Sequence, residues 1–118
     1  MRIIKPADLK EYYFEERCFI TELLNQPEVP SISIASARVE AGTTTVLHAL
    51  KGLEVYYILA GKGQVEVEDK FEEVVKGDLV HIPPNEPQRI TNTGTADLIF
   101  LAICSPRFIP EDYTDLEK

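Results

Sequence analysis

The sequence predicts an all-β domain of antiparallel strands, folded as a sandwich or closed into a barrel. Three observations point there. Short alternating or β-branched runs recur between Gly, Pro and Asn punctuation. Helical stretches are scarce. A chain of 118 residues that is 44% hydrophobic fills one small core and has no room for a second.

The elements follow in order. Residues 6–12 offer a helical turn opened by Pro6, which the aromatic run Tyr12, Tyr13 and Phe14 opposes. Strands are expected over 17–24, 31–39, 45–47, 54–60, 63–67, 71–75, 78–82, 88–91 and 96–103. Ala60-Gly61-Lys62-Gly63, Lys76-Gly77-Asp78 and Asn92-Thr93-Gly94-Thr95 supply the residues that tight reversals require. Pro83-Pro84 removes two backbone donors, so a ladder stops there and a loop leads to Gln88. From Ser105 onward, Pro106, Pro110 and an acidic run read as a surface extension with a last short helix. The chain divides into an N-terminal arm (1–30) whose strand can swap between copies, a barrel (31–104) and a C-terminal extension (105–118).

Composition narrows the partners. Twenty acidic against twelve basic residues give a net charge of −8, which repels nucleic acid and anionic membranes. No apolar run approaches the roughly 18 residues that a membrane helix needs, and the first ten residues lack the apolar core of a signal peptide, so a cytoplasmic location is expected. Cys18 and Cys104 stand far apart in apolar segments without metal-type spacing and read as small buried hydrophobes rather than a disulfide.

Two spaced series carry the functional signal. Gly42, His48, Glu54 and Gly61 form the first, and Gly77, Pro83 and Asn92 the second. Written out they are G-TTTVL-H-A-L-KGL-E-VYYILA-G and G-DLVHI-P-P-N-EP-Q-RIT-N. This resembles the two-part signature of the cupins, matching four of five fixed positions in the first part and three of five in the second. The resemblance spans about residues 31–104 and implies a cupin-type double-stranded β-helix, or jelly-roll barrel, of the small single-domain kind similar to RmlC. It also implies a divalent metal held by two His, a Glu and a distal His, used in isomerase, lyase or dioxygenase chemistry. Here Leu50 stands at the second His position and Gln88 at the distal one, so the metal motif is degenerate.

Barrel strands alternate side chains between inside and outside, so parity selects the pocket. Glu54, Tyr56 and Ile58 share one face and Val55, Tyr57 and Leu59 the other, while Gln88, Ile90 and Asn92 share a third. His48, Leu50, Glu54, Tyr56 and Gln88 are the expected pocket set. Carried over from the resemblance, His48, Glu54 and Gln88 hold Fe, Mn, Ni or Zn weakly, with Tyr56 as acid or base and Leu50, Ile90 and Arg89 against the substrate. The competing reading makes His48 and Glu54 an ordinary buried hydrogen-bonded pair and Tyr56 a core residue. The function is then either a metal-dependent cupin acting on a small polar metabolite, or a metal-free cupin that binds a small molecule or serves structurally. His81, out of step with its neighbours, belongs at a sheet face. A homodimer is expected, because an extra strand outside the barrel and outward Val55, Tyr57 and Leu59 call for a partner.

Overall fold

The computed structural model describes residues 1–118. Eleven strands follow a single turn of 3-10 helix at Pro6–Asp8: β1 (Tyr12–Phe14), β2 (Cys18–Leu24), β3 (Ser33–Val39), β4 (His48–Leu50), β5 (Leu53–Ala60), β6 (Lys62–Val67), β7 (Lys70–Val75), β8 (Leu79–Ile82), β9 (Gln88–Asn92), β10 (Leu98–Ser105) and β11 (Tyr113–Asp115). They form two antiparallel sheets, in the orders β1-β2-β3-β10-β5-β8 and β11-β4-β9-β6-β7. This is the jelly roll that the resemblance implies, and it meets the strand pattern's expectation of an antiparallel sandwich or barrel. No helix is long and apolar enough to cross a membrane.

Period-two patterning explains the layers. Along β5, Glu54, Tyr56 and Ile58 are buried while Tyr57 and Leu59 are exposed, and along β9 Gln88, Ile90 and Asn92 are buried. Val39, Ile58, Ile90 and Leu98 are fully buried between the sheets, and Tyr56 packs on Phe100 with ring centroids 4.4 Å apart. Side chains of this size contribute about 1.5–3 kcal/mol each when removed from water. The motif residue Asn92 is structural: its amide donates to the Val39 and Ala96 carbonyls, and its Oδ1 accepts from the Gly94 amide, which ties off the β9–β10 turn. Gly61 has φ +83, and a Cβ there would lie 2.6 Å from the Asp97 carbonyl oxygen, so this turn admits glycine alone. Asn85, at a motif position where cupins have Gly, takes φ +67, which asparagine tolerates.

Three expectations need correcting. The segment 45–47 is not a strand of its own. Thr45 instead bonds Ile90 through both its amide and its hydroxyl, and the strand begins at His48. The helical turn stops at Asp8, and the aromatic run becomes strand β1, because Tyr12 and Phe14 place alternate side chains on one face. The last segment does not simply run over the surface. After a 3-10 turn at Pro110–Asp112 it adds β11 to β4, with Asp115 opposite His48. The N-terminal β2 likewise pairs with β3 of its own chain. Both buried cysteines are free thiols.

Candidate functional site

The two terminal segments meet over one end of the barrel and, with it, line a half-open cavity of about 70 Å³. Barrel strands supply Ser33, Ala35, His48, Leu50, Glu54 and Cys104; the terminal segments supply Tyr12, Phe14, Glu16, Glu22, Asn25 and Tyr113. Register explains the convergence. Cys104 lies opposite Glu54 on one side and Ser33 on the other, and His48 lies opposite Gln88.

His48 is 2% exposed, with an acceptor on each ring nitrogen. Nδ1 lies 2.7 Å from the Val46 carbonyl oxygen and Nε2 lies 2.9 Å from Glu16 Oε1. A carbonyl and a carboxylate both demand a hydrogen, so the ring is an imidazolium donating at both ends. Burial alone would lower its pKa. The charge and hydrogen bond of Glu16, with Glu54 and the Val46 carbonyl, overcome that and hold it at about 9. The Tyr113 ring stacks on the imidazole at 5.0 Å.

Glu16 owes its position to the β1–β2 turn. Arg17 takes φ +67 there, and the Glu16 carbonyl accepts the Val46 amide, two residues before His48. Glu117 closes this junction from the C-terminal side, binding the Arg17 guanidinium and the Leu47 amide.

Glu54 and Gln88 form a second cluster. Gln88 Nε2 donates to Glu54 Oε1 at 2.8 Å, and the Tyr56 hydroxyl donates to Gln88 Oε1. Oε2 of Glu54 meets only the Cys104 thiol, at 3.6 Å. Burial raises the Glu54 pKa to about 7 against the attraction of His48, and burial likewise pushes Tyr56 and Cys104 well up.

The expected pocket residues thus separate. His48, Leu50 and Glu54 line the cavity. Gln88 and Tyr56 lie behind Glu54 as a buried chain of hydrogen bonds and do not reach the cavity wall. Ile90 is in the core, and Arg89, of opposite parity to Gln88, points out and pairs with Glu66 at 2.8 Å, so neither contacts the cavity. His81 is exposed on the outer sheet face. Nor are His48 and Glu54 hydrogen-bonded to each other, because each has its own partner. The sequence reading missed Glu16, Glu22, Tyr12, Phe14 and Tyr113. Their signal was parity: Tyr12, Phe14 and Glu16 alternate, as do Ile20, Glu22 and Leu24, and all six line the cavity.

The residues present do not fit the metal site that the fold implies. No three His, Cys, Asp or Glu side chains converge as ligands, both nitrogens of His48 lie against internal acceptors, and Gln88 directs its NH₂ at Glu54. A ligating imidazole must be neutral and present a lone pair.

Known proteins agree with the architecture. The family described as Cupin domain matches residues 35–104. An uncharacterised protein of Methanocaldococcus jannaschii is 36% identical over 122 residues, covering 99% of this chain and 98% of its own length. The oxalate-binding protein of Thermotoga maritima is 36% identical over 70 residues, 58% of each chain. A crystal structure described as a predicted oxalate decarboxylase from Thermotoga maritima superposes with a TM-score of 0.81 at 23% identity, over 89% of this chain and 99% of that one. The chain belongs to the cupin family. It is a small single-domain member, and the Leu and Gln substitutions make its metal motif degenerate.

Proposed function

We propose that this cupin binds a small polar metabolite in the cavity between its terminal segments and barrel, without a resident metal ion. The observation that carries the reading is the prior commitment of the donors: His48 bonds Glu16 and Val46, and Gln88 bonds Glu54 and Tyr56. Recruiting them to a cation would break two buried charge-assisted bonds, each worth about 1.5–3 kcal/mol. What remains is a half-open, largely apolar cleft with a few convergent polar groups, the usual form of a small-molecule site. Metal analysis of protein purified without chelator, with calorimetric titration of Mn²⁺ and Zn²⁺, tests this. The expected result is far less than one equivalent of metal and no change in melting temperature with EDTA. One tightly held equivalent per chain that is lost in His48→Gln would contradict it.

The assembly is proposed to be a homodimer through the outer face of the six-stranded sheet. There Tyr57 lies opposite Leu79 and Leu101, and Val55 lies opposite Ile103, so an apolar row stands where an antiparallel sheet facing water carries polar residues. Leu79 is 62% exposed and Tyr57 40% exposed. Sedimentation at micromolar concentration should give a dimer that Leu79→Arg dissociates; a wild-type monomer would count against it.

A further inference from the structure

We infer that the cavity selects a small organic cation, an amine or ammonium group on a short apolar body. This deepens the metabolite-binding reading above and rests on it. The first observation is the charge of the walls. Glu16, Glu22 and Glu54 line the cavity and no Lys or Arg does. The only basic wall residue, His48, is already paired with Glu16 at 2.9 Å. Nearby arginines are directed elsewhere: Arg17 to Glu117, Arg38 to Glu11 and Asp97, and Arg107 to the Asn25 side chain at the rim.

The second observation is an underused acceptor. Glu54 is 6% exposed, yet its Oε2 meets only a thiol at 3.6 Å. A carboxylate offers about four lone-pair sites, and a buried one is stabilised by a charged partner. An ammonium group entering the cavity supplies both the donor and the opposite charge.

The third is the aromatic wall. Tyr12, Phe14 and Tyr113 line the cavity, with Phe14 and Tyr113 edge to face at 5.8 Å. Aromatic faces attract cations and repel anions. An oxalate or phosphate group would meet Glu54 and Glu22 with no guanidinium or ammonium to offset the repulsion. The ligand class therefore departs from what the name of the oxalate-binding relative would carry over. A volume of about 70 Å³ limits the buried part to a few heavy atoms, on the order of five water-sized groups.

The test is a matched series of probes added to the full-length protein: n-propylammonium and putrescine as cations, n-propanol as the neutral isostere, propionate and oxalate as anions. Affinity is read by calorimetry, and location by NMR shifts of Phe14, His48 and Tyr113. At least one of the two cations should bind at the cavity at least tenfold more tightly than n-propanol and more tightly still than either anion, with affinity falling as salt rises. Glu54→Gln should weaken that cation at least tenfold. Glu22→Gln, at a less buried position, should weaken it severalfold and guards against failure of the first variant to fold. Should an anion or n-propanol bind the cavity as tightly as the cations, the charge inference falls while the binding site stands. If cation affinity is unchanged in both variants, the charge inference falls likewise. If no probe moves the cavity resonances, the binding-site reading falls with it.

Discussion

The barrel interior and its terminal segments solve different problems with similar residues. In the interior, Tyr56, Gln88 and Glu54 form a chain of hydrogen bonds made wholly by barrel strands, which leaves Glu54 Oε2 toward the cavity with only the Cys104 thiol. At the barrel end, Glu16 reaches His48 from a turn held by Arg17 and Glu117, residues from opposite ends of the sequence. The cupin motif lies in the first region. Whether its histidine is a free donor or a charged internal partner is decided in the second. A ligand set cannot be read from a motif alone when residues outside the motif reach its donors.

The sharpest way to separate the two regions is by stability. Ile58→Ala, at a fully buried site, should destabilise by about 4 kcal/mol, within the usual range for removing an aliphatic side chain from a core, as measured by urea unfolding. Removing an exposed group from the terminal segments, such as the Arg17 side chain, should cost far less, because water screens it.

Next in size is the pH dependence of the junction. The folded-state pKa of His48 is raised to about 9 from the ordinary 6.5, so its contribution is full below pH 6.5 and is lost as pH rises through 9. Glu54 is raised to about 7, so its relative contribution is full below pH 4.5 and is lost as pH rises through 7. Both act in the same direction, and the His48 shift alone should lower stability by on the order of 3 kcal/mol between pH 5 and 9. His48→Gln should flatten the decline above pH 7; a melting temperature that rises across this window would break the account.

Tyr56→Phe should cost about 2 kcal/mol, because it leaves Gln88 Oε1 buried without its donor. It should leave cation binding nearly intact, since Tyr56 does not line the cavity. Smallest of all, Arg17→Ala should change global stability by less than about 1 kcal/mol, as expected for an exposed ion pair. Hydrogen exchange at the Val46 and Leu47 amides should nevertheless accelerate, because Glu16 and Glu117 accept from them.

Most of the fold was legible because strand parity is a local property. The alternation in β5 and β9 placed Glu54, Tyr56, Gln88 and Ile90 on buried faces, and the spaced motif located His48 and Leu50. What was not legible depended on long-range closure. Nothing local in Glu16 shows that its turn docks on Val46, and nothing in the acidic tail shows that 113–115 pairs with β4. Arg89 was expected against the substrate, although its parity, opposite to that of Gln88, already put it outside with Glu66.

The central claim is that His48 is a doubly donating imidazolium held by Glu16 and Val46, not a free metal donor. The chain has two histidines, and His81 is exposed, so ¹⁵N NMR of the imidazoles resolves His48 with an internal reference. At pH 7.5 both His48 nitrogens should carry protons and stay protonated until the pH nears 9, with no change on adding equimolar Zn²⁺, and Glu16→Gln should bring titration down toward the ordinary range. A neutral His48 at pH 7.5 whose resonances shift on adding Zn²⁺ would contradict it.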